Sequence, residues 1–240
     1  MQAIILAAGK GSRLGEITGE LPKSFIEIQG KKLIDYNLDM LSKYGVNDII
    51  IVTGYKCEAF EELLRDRSNI RFVYNPFYET TNVLPSFWFG QGLLKDDFIY
   101  LHADTLCDTS IFEELLSSKG DIVLPIDFKE RDEEAMKVRL EKEDVVEISK
   151  TIPVEDADGE FIGIAKISGC SLLALKQVTT SIMKEKKFSS FFEVALQVIM
   201  DKKLSKVTSI PTRGQFWCEI DFLEDYEKAK KNISTSLLAL

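Results

Sequence analysis

A glycine-rich segment near the N-terminus contains the residue types that bind phosphate. The stretch "LAAGKGSRLGEITGELPKSF" covers residues 6–25, follows an apolar run and carries Lys10, Arg13 and Lys23. Glycine lets backbone approach a ligand closely, and consecutive N–H groups in such a turn can surround an anion. A guanidinium holds phosphate oxygens in a fork, whereas an ammonium acts as a mobile point charge. The segment predicts a phosphate site in which Arg13 and Lys23 supply positive charge.

The spacing of this segment excludes the two common glycine motifs. Gly9 and Gly11 form G-x-G, but Leu14 stands where a dinucleotide fingerprint requires its third glycine. The G-x-x-x-x-G-K-[ST] pattern of a Walker loop is also absent. A solvated surface turn is the alternative interpretation of "GKGS" alone. The whole pattern L-A-A-G-x-G-x-R-x(8)-P-K is far more specific.

Two aspartates follow predicted strands and are candidate metal ligands. Asp104 ends "YLHAD" and Asp221 ends "FWCEID". Ligands of parallel α/β sheets collect outside the carboxyl ends of the strands, and Mg²⁺ prefers one or two carboxylates with phosphate oxygens and water. The alternative for Asp221 is a helix N-cap before "FLEDY". Glu219 shares the strand face of Asp221 and is the weaker candidate, while His102 is interpreted as a pocket-edge residue rather than a catalyst.

The elements that must position these residues alternate between strand and helix in the first half of the chain. "QAIILAA", "DIIIVTG", "IRFVYN", "DFIYLHAD" and "DIVLPID" are apolar runs typical of strands, and helical spacing lies between them. In "KLIDYNLDMLSKYG" the apolar residues recur at helical spacing and Gly45 stands at the expected helix end. This alternation predicts an α/β fold with a mostly parallel sheet and helices on both faces.

The second half predicts short strands and then helices. "MKVRLEK", "VVEISK" and "EFIGIAKIS" indicate an antiparallel elaboration over about 135–168. Two helices are predicted around 170–184 and 189–202, then strands at "KVTSIP" and "FWCEID", and a closing amphipathic helix within 222–240. No linker separates independent units, so residues 1–240 are predicted to form a single domain.

"LAAGKGSRL…LPKSF" resembles the signature of the nucleotidyltransferases of the sugar-phosphate and choline-phosphate type. The resemblance covers nearly the whole chain and implies a Rossmann-like, GT-A-like fold that joins a nucleoside monophosphate to a phosphorylated acceptor and releases pyrophosphate. It places the backbone of Leu6, Ala7, Ala8 and Gly9 beside the base. It implies that Gly11, Ser12 and Arg13 bind the β and γ phosphates and that Lys23 binds the α phosphate. It also implies that Asp104 and Asp221 bind Mg²⁺.

The segment "NPFYETTNVLPSFWFGQGL" separates branches of this family. Sugar-1-phosphate members usually carry a small glycine-rich turn here, whereas this chain has Asn82 and Ser86 in the pattern N-x-x-x-S. That pattern is similar to the cytidylyltransferases of phosphocholine and aminoalkyl phosphonates, which favours CTP. An amide and a hydroxyl can satisfy polar atoms of cytidine. Helix capping by Asn82 is the alternative.

The acceptor is predicted to bind the 135–168 elaboration. "ISKTIP" resembles the family element whose lysine meets the acceptor phosphate, which makes Lys150 the candidate and Lys137 a weaker second. Glu160 or Asp158 is a candidate partner of a cationic amine. Aromatic residues near the cleft could add a cation–π contact, although most such residues pack in cores. Phosphocholine and 2-aminoethylphosphonate both fit, with a slight preference for the phosphonate.

Bulk properties restrict the partners. The formal net charge of −9 argues against a nucleic-acid partner, and no apolar run is long enough for a membrane helix. Four widely spaced cysteines without a C-x-x-C pair indicate a reducing, cytoplasmic protein rather than a zinc protein. The C-terminal helix is a candidate homodimer surface. A sugar-1-phosphate nucleotidyltransferase and a non-catalytic nucleotide-binding module are the alternative functions.

Overall fold

The computed structural model describes residues 1–129 and 133–240. Its strands are β1 Gln2–Ala7, β2 Glu27–Ile28, β3 Lys31–Lys32, β4 Asp48–Thr53, β5 Ile70–Tyr74, β6 Phe98–His102, β7 Thr105–Cys107, β8 Ile122–Asp127, β9 Lys137–Glu141, β10 Asp144–Ser149, β11 Gly159–Phe161, β12 Ile164–Ile167, β13 Val207–Pro211 and β14 Trp217–Glu219. Ten of them form one sheet in the order β11-β9-β10-β13-β8-β12-β6-β1-β4-β5.

The half of the sheet that carries the glycine-rich loop is parallel. β1 pairs in parallel with β4 and β6, and β4 pairs in parallel with β5. Within β1, Ile4 and Ile5 are fully buried on opposite faces, as the apolar run predicts. Because parallel strands end at the same edge, the loops after β1, β4 and β6 leave the sheet together.

The other half of the sheet is largely antiparallel. β12 lies between β6 and β8 and is antiparallel to both, whereas β13 is parallel to β8. The 135–168 segment is therefore more than a peripheral elaboration, since its last strand occupies the centre of the sheet. The predicted α/β class is confirmed, and the sheet as a whole is mixed rather than mostly parallel.

Helices cover both faces of this sheet. They are α1 Gly15–Thr18, α2 Leu33–Lys43, α3 Cys57–Leu63, α4 Val83–Gly90, α5 Thr109–Ser117, α6 Gly169–Lys184, α7 Phe192–Asp201, α8 Leu223–Asn232 and α9 Thr235–Leu238. One core contains α2, α3, α5 and α8 side chains, and the other contains those of α4, α6 and α7. In the second core the Phe87 ring packs against Phe98, Tyr100 and Phe192.

The C-terminal region consists of two helices rather than the single predicted one. α8 buries Ala229 and α9 buries Leu237 in the core of the same chain. None of the helices described at 1–129 and 133–240 has the length and apolar character needed to cross a membrane.

Backbone hydrogen bonds hold the loops that carry the candidate site residues at the carboxyl edge of the parallel half of the sheet. The N–H of Ala103 donates to the carbonyl of Leu6 at 3.1 Å, and the N–H of Tyr55 donates to that of Ala8 at 3.1 Å. The N–H of Ile220 donates to the carbonyl of Asp104 at 3.2 Å. β14 also pairs with β7 in a separate two-stranded sheet, so the strand predicted at "FWCEID" forms beside this edge and outside the main sheet.

Candidate active site

Gly11 gives the glycine-rich loop its shape. It adopts the left-handed conformation, with φ 67° and ψ 38°, immediately before a 3-10 turn at Ser12–Leu14. A Cβ atom at Gly11 would lie 2.7 Å from the Cβ of Lys23, which is closer than real side chains approach. Buried Leu14 anchors the turn in the core. Glycine is therefore required here for both its backbone freedom and its missing side chain.

The loop presents polar groups to the cleft. Ser12 and Arg13 are exposed, and the Arg13 guanidinium lies 5.1 Å from the centre of the Phe222 ring. The Lys10 ammonium lies 5.5 Å from the centre of the Tyr55 ring. These aromatic contacts hold the cationic side chains near the loop without neutralising them, so they remain able to bind an anion.

Lys23 joins the two predicted metal ligands. Its Nζ donates to Oδ2 of Asp104 and to Oδ1 of Asp221, both at 2.5 Å, and its side chain is 11% exposed. Burial lowers the pKa of Lys23, but the two carboxylates outweigh that effect and raise it. Burial raises the pKa of Asp104, but the Lys23 charge and hydrogen bond outweigh it and lower the pKa. Lys23 and Asp104 are thus both charged at neutral pH.

The sequence leaves open whether Asp221 is a metal ligand or the N-cap of the following helix, and in the structure another residue is the cap. The carboxylate of Asp225 accepts hydrogen bonds from the backbone N–H groups of Asp221 and Phe222, at 3.1 and 2.9 Å. Asp225 therefore caps the start of α8. The carboxylate of Asp221 points instead at Lys23.

The two aspartates form a site that requires a cation. Since each bonded oxygen lies 2.5 Å from Nζ, the two oxygens are within about 5 Å of each other. Two negative charges at that separation repel by roughly 3 kcal/mol at an effective dielectric constant of about 20. Two carboxylate oxygens that converge on one cation position fit a hard divalent ion such as Mg²⁺, which would complete its coordination with phosphate oxygens and water.

His102 lies beside the aspartates and is held from both sides of its ring. Its Nε2 is 2.8 Å from the hydroxyl of Tyr100, and its Nδ1 is 3.1 Å from Oε1 of Glu219. Ligand atoms of His102, Asp104 and Glu219 all lie within 4.8 Å of one another. Burial lowers the pKa of His102, but the hydrogen bond and charge of Glu219, with Glu193 and Asp104, raise it to about 9.

The residues predicted to meet cytidine lie at the start of α4. Oδ1 of Asn82 accepts from the N–H of Val83 at 2.8 Å, so this side chain does cap the helix. Ser86 is buried, and its Oγ accepts from Nδ2 of Asn75 at 3.0 Å. Asn75 was not predicted. It is fully buried and also accepts from the N–H of Phe77, which fixes the turn between β5 and α4; its Asn-Pro pair in the sequence is the signal for such a turn.

The predicted acceptor residues lie in different environments. The Lys150 ammonium follows β10, lies 5.2 Å from the centre of the Phe191 ring and is 3.7 Å from Oε2 of Glu134. Lys137 is 1% exposed and donates to the carbonyls of Glu133 and Ala135 at 2.8 and 3.3 Å. Glu160 is half-buried on β11, directly across from Lys137.

One acidic residue near the site was missed at the sequence level. Glu193 is 3% exposed in the first turn of α7, and burial raises its pKa against an opposing contribution from His102. It lies on the buried face of α7 with Leu196. Helical periodicity could have identified this residue, because it places the glutamate of the apolar run "FFEVAL" at a core position.

Comparison with known proteins identifies the family of this chain. The Nucleotidyl transferase family profile matches residues 2–122. The chain belongs to this family. It is similar to CTP:phosphoglutamine cytidylyltransferase of Campylobacter jejuni, with 26% identity over 95% of this chain and 98% of the relative. It is also similar to choline-phosphate cytidylyltransferase of Streptococcus pneumoniae, with 35% identity over 49% of this chain and 50% of the relative.

A solved structure supports the fold over nearly the whole chain. The inositol-1-phosphate CTP transferase from T. maritima superposes with a TM-score of 0.78 at 25% identity, and the match covers 95% of each chain. The resemblance inferred from the glycine-rich segment is therefore confirmed at the level of the family, the fold and the nucleotidyltransferase class. The roles of individual site residues remain predictions.

We expect Gly11→Ala to lower the free energy of unfolding by roughly 1–2 kcal/mol, because an L-residue is strained at this φ. The new Cβ would also press on the stem of Lys23. Urea denaturation measures the effect, and Gly15→Ala is the matched control because Gly15 is helical and has no atom near its missing Cβ. Equal stability of the two variants would contradict the loop geometry.

We expect the imidazole of His102 to titrate with a pKa of about 9 in the metal-free protein. Because this is the only histidine of the chain, its ring protons give one resolvable NMR titration. Glu219→Gln should lower this pKa. The stabilisation from the charged imidazole is complete below its ordinary pKa of 6.5 and is lost as the pH rises through about 9. An unchanged titration in Glu219→Gln would disprove the coupling.

Proposed function

We propose that this protein is a Mg²⁺-dependent cytidylyltransferase, which transfers CMP from CTP to a small phosphonate or phosphomonoester and releases pyrophosphate. The observation that carries the proposal is the convergence of Lys23, Asp104 and Asp221 beside the glycine-rich loop. Both substrates are anionic, so their reaction needs positive charge at the point where they meet. The loop cations and a divalent ion on the two carboxylates would supply it.

The proposed chemistry needs positioning rather than a general base. An acceptor oxygen that is already anionic attacks the α phosphorus in line, the bond to the β phosphate oxygen breaks, and pyrophosphate leaves. Gly11, Ser12 and Arg13 hold the β and γ phosphates, and Lys23 holds the α phosphate. When bound, Mg²⁺ on Asp104 and Asp221 neutralises phosphate charge. Orientation and charge neutralisation are the usual sources of catalysis in such transfers.

The choice of CTP is supported by the relatives, since two of them are named as cytidylyltransferases. The backbone of Leu6, Ala7, Ala8 and Gly9 is proposed to lie beside the base. Because Oδ1 of Asn82 caps α4, its amide nitrogen is the atom proposed to contact cytidine. The hydroxyl of Ser86 is the second polar group proposed on this side of the base.

The choice of an acceptor with a cationic amine is supported by the charge of the cleft. Glu219 and Asp104 lie beside His102, and their charges, with that of Glu193, raise the pKa of its imidazole, so this part of the cleft is acidic. We therefore favour 2-aminoethylphosphonate or phosphocholine as the acceptor. Lys150 is proposed to bind its phosphate or phosphonate group.

Lys137 and Glu160 are the proposed lining of the acceptor pocket. They face each other on β9 and β11, with Asp127 across from Glu160 on β8. Because the Lys137 ammonium is enclosed by backbone carbonyls, its proposed role is to shape this side of the cleft.

A screen of pyrophosphate release tests the substrates. We expect turnover with CTP plus 2-aminoethylphosphonate or phosphocholine, and little with UTP, ATP, GTP or dTTP. Phosphoethanolamine, phosphoglutamine and glucose 1-phosphate complete the acceptor panel. Asp104→Asn should lower kcat by roughly 100-fold or more, whereas Asp39→Asn, which changes an aspartate paired with Lys31, should not. Efficient use of UTP or dTTP with glucose 1-phosphate would overturn the proposal.

The role of Lys150 predicts a selective loss of acceptor affinity. Lys150→Met should raise the KM for the acceptor by about 10- to 100-fold, because a hydrogen bond to a charged group contributes about 1.5–3 kcal/mol. The KM for CTP should stay close to that of the wild type. Lys206→Met is the matched control, since Lys206 pairs with Asp144 on the surface. A rise in the KM for CTP alone would remove Lys150 from the acceptor site.

A further inference from the structure

Lys23 occupies the position that a metal ion shared by Asp104 and Asp221 would need. We propose that Lys23 is an internal counter-ion that keeps this metal site closed in the nucleotide-free protein, so that the divalent ion enters only together with the triphosphate. The inference rests on the proposed metal role of the two aspartates, but its test uses neither CTP turnover nor an acceptor.

The contacts of Lys23 occupy the position between one oxygen of Asp104 and one oxygen of Asp221. Its Nζ lies 2.5 Å from Oδ2 of Asp104 and 2.5 Å from Oδ1 of Asp221. Oxygen ligands approach Mg²⁺ at about 2.0–2.1 Å, so an ion shared by these two oxygens would overlap the ammonium. Within the described part of the chain, the ion pairs of both aspartates are made with Lys23. A metal ion can take this position between Oδ2 of Asp104 and Oδ1 of Asp221 only when the ammonium leaves it.

The stem of Lys23 leads directly to the glycine-rich loop. The Cβ, Cγ and Cδ atoms of Lys23 lie 2.7, 3.0 and 3.3 Å from the position of a Cβ on Gly11, so the loop backbone runs along this side chain. A triphosphate in the loop thus arrives next to the lysine and offers its ammonium a second set of anionic oxygens. The flexible four-carbon stem allows Nζ to move between the carboxylates and a phosphate.

The other cationic side chains beside the aspartates already have partners. His102 is held between Tyr100 and Glu219, and Arg13 stacks on Phe222. Lys23 is thus the cation placed to exchange with a metal. Free Mg²⁺ would have to displace a bound ammonium and is expected to bind weakly, whereas a nucleotide that carries Mg²⁺ provides the ion and the new partner for Lys23 together.

Binding of Mn²⁺ alone tests this proposal, because Mn²⁺ accepts the same oxygen ligands and is detected by EPR. We expect nucleotide-free Lys23→Met to bind Mn²⁺ at least about tenfold more tightly than the wild type, since the competing ammonium is removed. Asp104→Asn in the Lys23→Met background should abolish the gain, which places the ion at the carboxylates. Lys31→Met removes a different lysine paired with an aspartate and should keep the wild-type affinity.

Equal Mn²⁺ affinity in the wild type and Lys23→Met, or a gain that survives Asp104→Asn, would overturn the inference. If Lys23→Met does not fold, Lys23→Gln replaces it, since an amide still hydrogen-bonds to the carboxylates without charge. Mn²⁺ should then raise the Tm of Lys23→Gln more than that of the wild type, and an equal shift would count against the proposal. Turnover of CTP is measured separately, so failure of the proposed reaction and failure of this inference are distinguishable.

Discussion

The site depends on one electrostatic constraint, which is that two aspartates meet around a single cation. Asp104 and Asp221 come from distant parts of the chain, and each is bonded to the ammonium of Lys23. Without a cation their repulsion would oppose the folded arrangement. The glycine-rich loop, the end of β6 and the end of β14 must therefore be positioned together, and the three charges fix their relative placement within a few ångströms.

The sheet meets this constraint with two kinds of pairing. The parallel pairing of β1, β4 and β6 brings the loops after these strands to one edge, which is a consequence of strand direction alone. The segment that carries Asp221 cannot join this sheet, because the positions beside β6 are taken by β1 and β12. It is held instead by the short β7–β14 ladder and by the hydrogen bond from Ile220 to Asp104.

The sequence predicted the parallel half well because its signals are local. An apolar run such as that of β1 indicates a buried strand, and the spacing from Gly9 to Lys23 is a property of one continuous segment. The central position of β12 could not be predicted, since strand order is decided by long-range pairing with β6 and β8. The ion pairs of Lys23 were likewise missed, because they join three separate segments. The alternative of an N-cap at Asp221 was wrong, because the carboxylate of Asp225 accepts the N–H groups at the start of α8.

The two halves of the sheet carry different parts of the proposed site, and the difference follows from how the strands of each half are paired. The proposed nucleotide side is built from loops that share one parallel edge, so its geometry follows from the direction of the strands. The proposed acceptor side is built from β9, β10 and β11 with the start of α7, where register and turns are set by individual side chains such as Asp158, which accepts from the N–H of Leu140 at 2.7 Å. Substitutions there can alter charge and shape without moving Lys23 or the aspartates. Two relatives are accordingly named for different acceptors, phosphoglutamine and choline phosphate.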